Sequence, residues 1–309
     1  MYVPSHPAGW RFFRAKISIR LESNNETEAT SIPESLGSLG KFKSTPVSKS
    51  KIRRGKGKRK HNGENINREL SIWGNNSNGL KAKLRSLRAN LEQFDFPSCV
   101  TLQETKLRQT NLIKIEGYKV FETVRTGLGG GLLTAVIEEL EPVLISEGED
   151  DAEILVVQIK VGNQSIRIIN CYGPQEDEDS AVKINFWKTL ENEIISAYDH
   201  NCLILVQMDA NAKVGVDVIK GDPHKQSENG YFLMEMLKRQ NLSLLNGSDQ
   251  CKGTITRHRK TINGEEKSIL DYILVCQGLL GHFVEMFIDE ERLHTLTKYA
   301  TTKGNKSKV

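Results

Sequence analysis

Hydrophobic positions divide the chain in two. Over residues 1 to 67, Ser, Asn, Glu, Pro and Lys are scattered with no sustained period of 2 or 3.6. Such a segment cannot bury enough apolar surface to offset its chain entropy, so it is expected to be disordered. From Leu70 onward, short apolar runs recur, each followed by a turn or a helix. They predict strands over 70–74, 98–103, 118–123, 131–137, 154–161, 165–172, 202–208, 242–246, 254–258 and 268–275. Three longer windows predict helices over 80–94, 179–198 and 230–240. In the second, Ala181, Ile184, Trp187, Leu190, Ile194 and Ile195 fall at three- and four-residue steps and read as one core-facing stripe. Asn229-Gly230, Asn263-Gly264 and the glycines at 129–131 mark turns. Many strands with few helices between them imply an α/β chain of two packed mixed β-sheets flanked by helices, a layered sandwich. The expected organisation is a leader over 1–67 and one domain over 68–309.

Composition narrows the class. Hydrophobic residues make up 38%, ordinary for a globular domain. No apolar run approaches the roughly 20 residues of a membrane span, and the opening MYVPSHPAGWRFFRAKISIR lacks the apolar centre of a secretion signal. The five cysteines share no CxxC spacing and mostly sit in strand-like runs, which reads as buried thiols of an intracellular protein.

The net charge of +4 conceals a division. Residues 1–60 carry 14 Lys and Arg against 4 acids, a net of +10, and the remainder carries 29 against 35, a net of −6. The basicity therefore belongs to the leader. Its acid-free run KSKIRRGKGKRK reads either as a nuclear-import signal, placing the protein in the nucleus, or as a grip on DNA phosphates; a solvated charge run with no partner is equally compatible.

Polar residues gather at the ends of the predicted strands, where distant segments converge on one rim. In chain order they are Asn76-Ser77-Asn78-Gly79, Gln103-Glu104-Thr105, Tyr172-Gly173-Pro174, Asp209-Ala210-Asn211, Gly253-Thr254 and Ser268-Ile269-Leu270-Asp271-Tyr272. No Walker loop, GxSxG elbow or HExxH helix is present, so P-loop, serine and simple zinc hydrolysis lack support. Singly, each residue has a plain structural role as a turn or a solvated strand end. The ordered set carries the functional reading.

That set (NSNGL, LQETKL, GGGLLTAV, CYGP, DANAKVG and SILDYILV, over residues 69 to 288) resembles the endonuclease/exonuclease/phosphatase superfamily. Its wording is most similar to non-LTR retrotransposon endonucleases. The resemblance implies a Mg²⁺-dependent (or Mn²⁺-dependent) phosphodiesterase that nicks DNA. It assigns Asn76 and Glu104 to the metal and Asp209 to the attacking water. Asn211 becomes a donor to the phosphate and Tyr172 a phenol beside it. Asp271 becomes the partner of a histidine, with Asn78, Ser268 and Thr254 (or Thr256) toward substrate. Mg²⁺ chemistry agrees with this, since it takes few protein ligands and prefers oxygen.

One motif departs. The superfamily's final Ser-Asp-His is absent, and His282 and His294 lack its preceding residues. The chain is expected to stop short of that motif, with activity impaired, a core strand missing and a sheet edge left unpaired. A reverse transcriptase region would lie downstream of it. The alternatives are an inactive retroelement-derived fragment that binds nucleic acid, and an abasic-site repair endonuclease.

Overall fold

In the computed structural model the apolar runs become the strands of two facing sheets. The structure describes residues 13–19, 68–93, 95–108, 113–124, 130–148, 152–262 and 264–290. The first sheet holds β1 (Phe13–Ile19), β2 (Arg68–Asn76), β3 (Cys99–Gln103), β4 (Tyr118–Thr123), β5 (Leu132–Ile137), β11 (Cys251–Lys252) and β15 (Phe283–Ile288). Their spatial order is β11-β15-β1-β2-β3-β5-β4. The second holds β6 (Val143–Ser146), β7 (Ile154–Val161), β8 (Gln164–Tyr172), β9 (Leu203–Asp209), β10 (Leu242–Leu244) and β14 (Asp271–Cys276), in the order β10-β14-β9-β8-β7-β6. A separate hairpin joins β12 (Arg257–Thr261) to β13 (Gly264–Ser268).

Both sheets are mixed. The pairs β2–β3 and β8–β9 run parallel, and most others antiparallel. Central strands such as β3 (CVTLQ) and β14 (DYILVC) are buried at every position. Each is covered on one face by the opposite sheet and on the other by helices, which is why they read as continuous rather than alternating runs. Ile72, Cys99, Val136, Ile168 and Leu205 belong to the core between the sheets.

The helices make the outer layers. Helix α1 (Leu84–Gln93) sets Leu87 and Leu91, with Leu80, on Trp73, Val100, Leu102, Leu133 and Ala135 of the first sheet. Helices α2 (Ser180–Asp199) and α3 (Glu228–Arg239) cover the second, and the short α4 (Gln277–Leu280) follows β14. Asp179 caps α2 by accepting from Ala181 N at 2.8 Å. The predicted stripe of α2 is corrected. Phe186, Trp187, Leu190, Ile194 and Ala197 face the core, whereas Ile184 and Ile195 are 52% and 42% exposed. The helix carries two apolar lines, and the one bearing the aromatic pair is buried because it removes more apolar area from water. The Asn229-Gly230 turn is also corrected, since both residues lie in the first turn of α3, capped by Ser227.

The boundary at residue 68 needs correction as well. Within the expected leader, β1 pairs antiparallel with both β2 and β15. Ala15 and Ile17 are fully buried while Arg14 is exposed. This short alternation was hidden among polar and basic neighbours. Strand β15 lies between β11 and β1, so the open edge expected at the end of the domain is not found there among the described residues. The run KSKIRRGKGKRK and His294 lie outside them.

Candidate functional site

Strands β2 and β3 of one sheet and β8, β9 and β14 of the other bring their site residues to a common rim. Each element contributes the residue at or just beyond its end: Asn76 closes β2, Glu104 follows β3, Tyr172 closes β8, Asp209 closes β9 and Asp271 opens β14. Asn76 is the link between sheets. Its Nδ2 donates to Glu104 Oε1 at 2.8 Å and to Asp209 Oδ2 at 2.7 Å. Glu104 Oε1 also accepts from the Tyr172 hydroxyl at 3.1 Å, and Gln175 Nε2 donates to that hydroxyl at 2.6 Å. Lys106 pairs with Glu104 Oε2 at 3.2 Å and donates to Asn78 Oδ1.

The backbone is bent to make these meetings possible. Asn78, Glu104, Lys106 and Asn211 have φ of 37°, 46°, 51° and 47°. Asn tolerates this left-handed region; Glu and Lys adopt it only when the surroundings hold them there. Gly79 N bonds Glu104 O at 2.8 Å, and Thr105 N and Lys106 N bond Gly131 O and Gly130 O at 3.0 and 2.9 Å. The glycine run therefore serves as the wall that fixes the Glu-Thr-Lys loop. Gly173 has a different reason. Its N–H donates to Asp209 O at 2.7 Å, and a Cβ there would come within 2.4 Å of Ala210 O, so the tyrosine loop packs directly on the Asp-Ala-Asn loop.

Asn211 is held in turn. Its N–H meets Asp209 Oδ1 at 3.2 Å and its Nδ2 donates to Gly173 O at 2.8 Å. Behind it, Asn229 donates to Pro174 O at 2.9 Å and accepts from Trp187 Nε1 at 2.9 Å. Asp271 is the direct antiparallel partner of Asp209. Thr256 Oγ1 accepts from the main-chain N–H groups of Leu270 and Asp271 at 2.9 and 3.2 Å.

Burial governs the electrostatics. It pushes Asp209 up to about 6, with Glu104 adding to the rise and the Asn76 donor, the Asn211 N–H and Arg257 opposing it. Asp271 is raised well above the usual carboxylate range, first by burial and then by Asp209; Thr256 and Arg257 pull the other way. Burial, Asp209 and Glu104 hold the Tyr172 phenol far above its ordinary value, so it stays protonated as a donor.

No family model matches the sequence, and no curated protein matches it. Solved structures do match its fold. The endonuclease domain of TRAS1, a telomere-specific non-LTR retrotransposon, aligns with a TM-score of 0.54 at 18% identity, over 68% of this chain and 86% of that one. The AP endonuclease LMAP from Leishmania major gives 0.55 at 18%, over 67% and 78%. An AP endonuclease from Archaeoglobus fulgidus gives 0.51 at 19%, over 67% and 86%. This chain has the fold of the endonuclease/exonuclease/phosphatase superfamily.

Within that superfamily fold the predicted residues sort clearly. Asn76, Glu104, Tyr172, Asp209, Asn211 and Asp271 are brought together, and Asn78 joins through Lys106 and through its own N–H to Asn76 Oδ1 at 3.2 Å. Of the two threonines left open by the sequence, Thr254 donates its N–H to Glu290, and Thr256 is the one at Asp271. Ser268 enters through its carbonyl, which accepts from Thr256 N at 3.1 Å. His282 follows α4 at the far end of β14 from Asp271. Gln175, Lys106, Arg257 and Asn229 were not singled out from sequence. Lys106 lay inside LQETKL, and the others are defined only by the neighbours the fold gives them.

The donor set suits a hard divalent cation. Among the described residues no three His, Cys, Asp or Glu form a cluster able to hold a metal ion by themselves. Mg²⁺ needs no such cage, since it keeps most of its waters and takes one or two carboxylates. Glu104 offers two oxygens at the rim, and its Lys106 partner is 39% exposed.

Proposed function

We propose that this chain is a divalent-metal-dependent phosphodiesterase that nicks DNA, of the non-LTR retrotransposon endonuclease type. The observation that carries the reading is the Asn76 bridge, which joins the Glu104 carboxylate of one sheet to the Asp209 carboxylate of the other. Phosphodiester hydrolysis needs a positioned base for water, neutralisation of charge on the phosphate and help for the leaving oxygen. Asp209, with its pKa near 6, is mostly ionised at neutral pH yet basic enough to take a proton from water. Asn76 orients that carboxylate. The remaining Nδ2 proton of Asn211 would donate to a phosphate oxygen, and the protonated Tyr172 hydroxyl would do so on turning from Glu104, its acceptor in this structure. Glu104, with the Asn76 side chain beside it, would hold Mg²⁺ or Mn²⁺. Such a cation supplies Lewis-acid neutralisation of the phosphate and leaving oxygens.

The deciding experiment is conversion of supercoiled plasmid to the nicked form in Mg²⁺. Weak but detectable cutting is expected, since no Ser-Asp-His motif is present, with loss on chelation, recovery on adding Mg²⁺ back, and loss in Glu104→Ala and Asp209→Ala. No cutting by the native protein, or cutting that survives both substitutions, overturns the proposal. The likeness to abasic-site endonucleases favours one second reading, in which a duplex with an abasic site is cut far faster than an intact one.

A further inference from the structure

A polar layer lies between the two sheets directly beneath the rim, where the neighbouring rows are Ile and Leu. Gln103, Asn170 and Gln207 are 2%, 0% and 2% exposed, and Thr101 and Thr134 are fully buried. Gln103 Nε2 donates to Asn170 Oδ1 at 2.7 Å, which ties β3 to β8. Asn170 Nδ2 reaches on to Leu133 O at 3.0 Å and Thr134 Oγ1 at 3.3 Å in β5. Beside it, Gln207 lies over Gly74 of β2 so closely that a Cβ at 74 would stand 1.1 Å from Gln207 Nε2.

The placement relative to the site is regular. Gln103 immediately precedes Glu104 and Asn170 lies two residues before Tyr172, and Glu104 and Tyr172 are hydrogen-bonded. Gly74 lies two residues before Asn76 and Gln207 two before Asp209, and Asn76 and Asp209 are hydrogen-bonded. Two steps along a strand return to the same face, about 7 Å lower. The Asn76–Asp209 bond therefore has the Gly74–Gln207 contact between the same two strands just below it, and the Gln103–Asn170 bond joins the strands that carry Glu104 and Tyr172.

What matters at position 207 is the length of the side chain, not its polarity. Gln207 Oε1 and Thr101 Oγ1 have no protein partner, and a buried polar atom in that condition is destabilising. An apolar side chain of equal length would fill the space without that cost.

We infer that Gln207 is a positioning residue for the proposed nuclease: its amide, seated on the bare Cα of Gly74, spaces β9 from β2 so that Asp209 meets Asn76 at hydrogen-bond distance. The inference rests on the nuclease reading, since spacing matters only if the rim performs chemistry. Gln207 touches neither substrate nor metal in this account. It acts by thickness, so a methionine of similar length replaces it and an alanine does not.

Three variants test this in the full chain: Gln207→Ala, Gln207→Met and Gly74→Ala. Plasmid nicking is measured for kcat and KM, Mn²⁺ binding by calorimetry and folding by thermal melts. Gln207→Ala is expected to fold, to keep KM within about threefold and to lose kcat by roughly 10- to 100-fold, the scale on which a displacement of about 1 Å acts. Gln207→Met is expected to restore kcat to within about threefold. Gly74→Ala alone is expected to be strongly destabilised, and combination with Gln207→Ala to recover its melting temperature. Native kcat in a folded Gln207→Ala overturns the inference, as does equal impairment of the Ala and Met variants, or no recovery in the double variant. Native protein that neither nicks nor binds Mn²⁺ removes the nuclease reading and this inference with it. Native protein that does both, with Gln207→Ala indistinguishable from it, removes this inference alone.

Discussion

Asp209 and Asp271 stand directly opposite one another on adjacent antiparallel strands, and both are held above the usual carboxylate range. A raised folded-state pKa means that the native protein keeps protons the unfolded chain has already released. The stability this contributes is complete below about 3.8 and is lost as pH climbs through about 6 for Asp209. With divalent cations chelated, Asp209→Asn should therefore gain on the native protein between about pH 4 and about pH 7, by on the order of 2 kcal/mol. Urea titrations across that range check it. A stability difference between the two proteins that does not change with pH would sink the claim.

Asn76 is the strongest hydrogen-bonding influence holding Asp209 down. Asn76→Ala is expected to raise the inflection of the nicking rate above pH 6, so that cutting at neutral pH falls while cutting at pH 9 recovers part of the loss. The removed donor also leaves a buried carboxylate under-satisfied, at about 1–3 kcal/mol of stability. A pH–rate profile of kcat reads the first effect and a melt the second.

Glu104→Gln keeps the size of the side chain and removes its charge. The Tyr172 and Asn76 bonds survive in part, so the fold is expected to stay within about 1 kcal/mol of native. Nicking in Mg²⁺ is expected to drop by at least ~100-fold, the usual scale for losing a group that neutralises transition-state charge. Near-native nicking would move the metal away from Glu104.

Ile17 is fully buried in β1 and belongs to the core between the sheets. Ile17→Ala is expected to cost about 2–5 kcal/mol, as for a large-to-small change in a packed core. A loss below about 1 kcal/mol in urea unfolding would mean that β1 does not hold its place between β2 and β15.

The main strands were legible because two sheets covered on both faces demand long apolar runs, and β3, β7, β8, β9 and β14 supply them. Strands β6 and β11 were not: β6 lies at a sheet edge with Val143, Leu144 and Ile145 exposed, and β11 has only two residues. The stretch read as one strand over 268–275 is broken because Ser268 ends a hairpin while Asp271 starts a central strand. The rim residues could be found because strand-end Asn, Glu and Asp stand out against apolar runs. Asn170 and Gln207 could not, since a lone amide inside a strand looks the same whether it faces water or a second sheet. Thr254 and Thr256 were indistinguishable until the fold showed which one reaches Asp271.

Strand β1 begins at residue 13, while one of its two partners, β15, begins 270 positions later. During synthesis from the N-terminus, β1 must wait for β15 before both its sides are paired. Until then Ala15 and Ile17 have only β2 beside them, and the first sheet offers a hydrogen-bonding edge to any neighbouring chain. Completion of that sheet is a late event, dominated by contacts far apart along the chain, and such closures are slow. Agents that bind extended apolar peptide would therefore be expected to improve the yield of soluble protein most in the interval before β15 has been made.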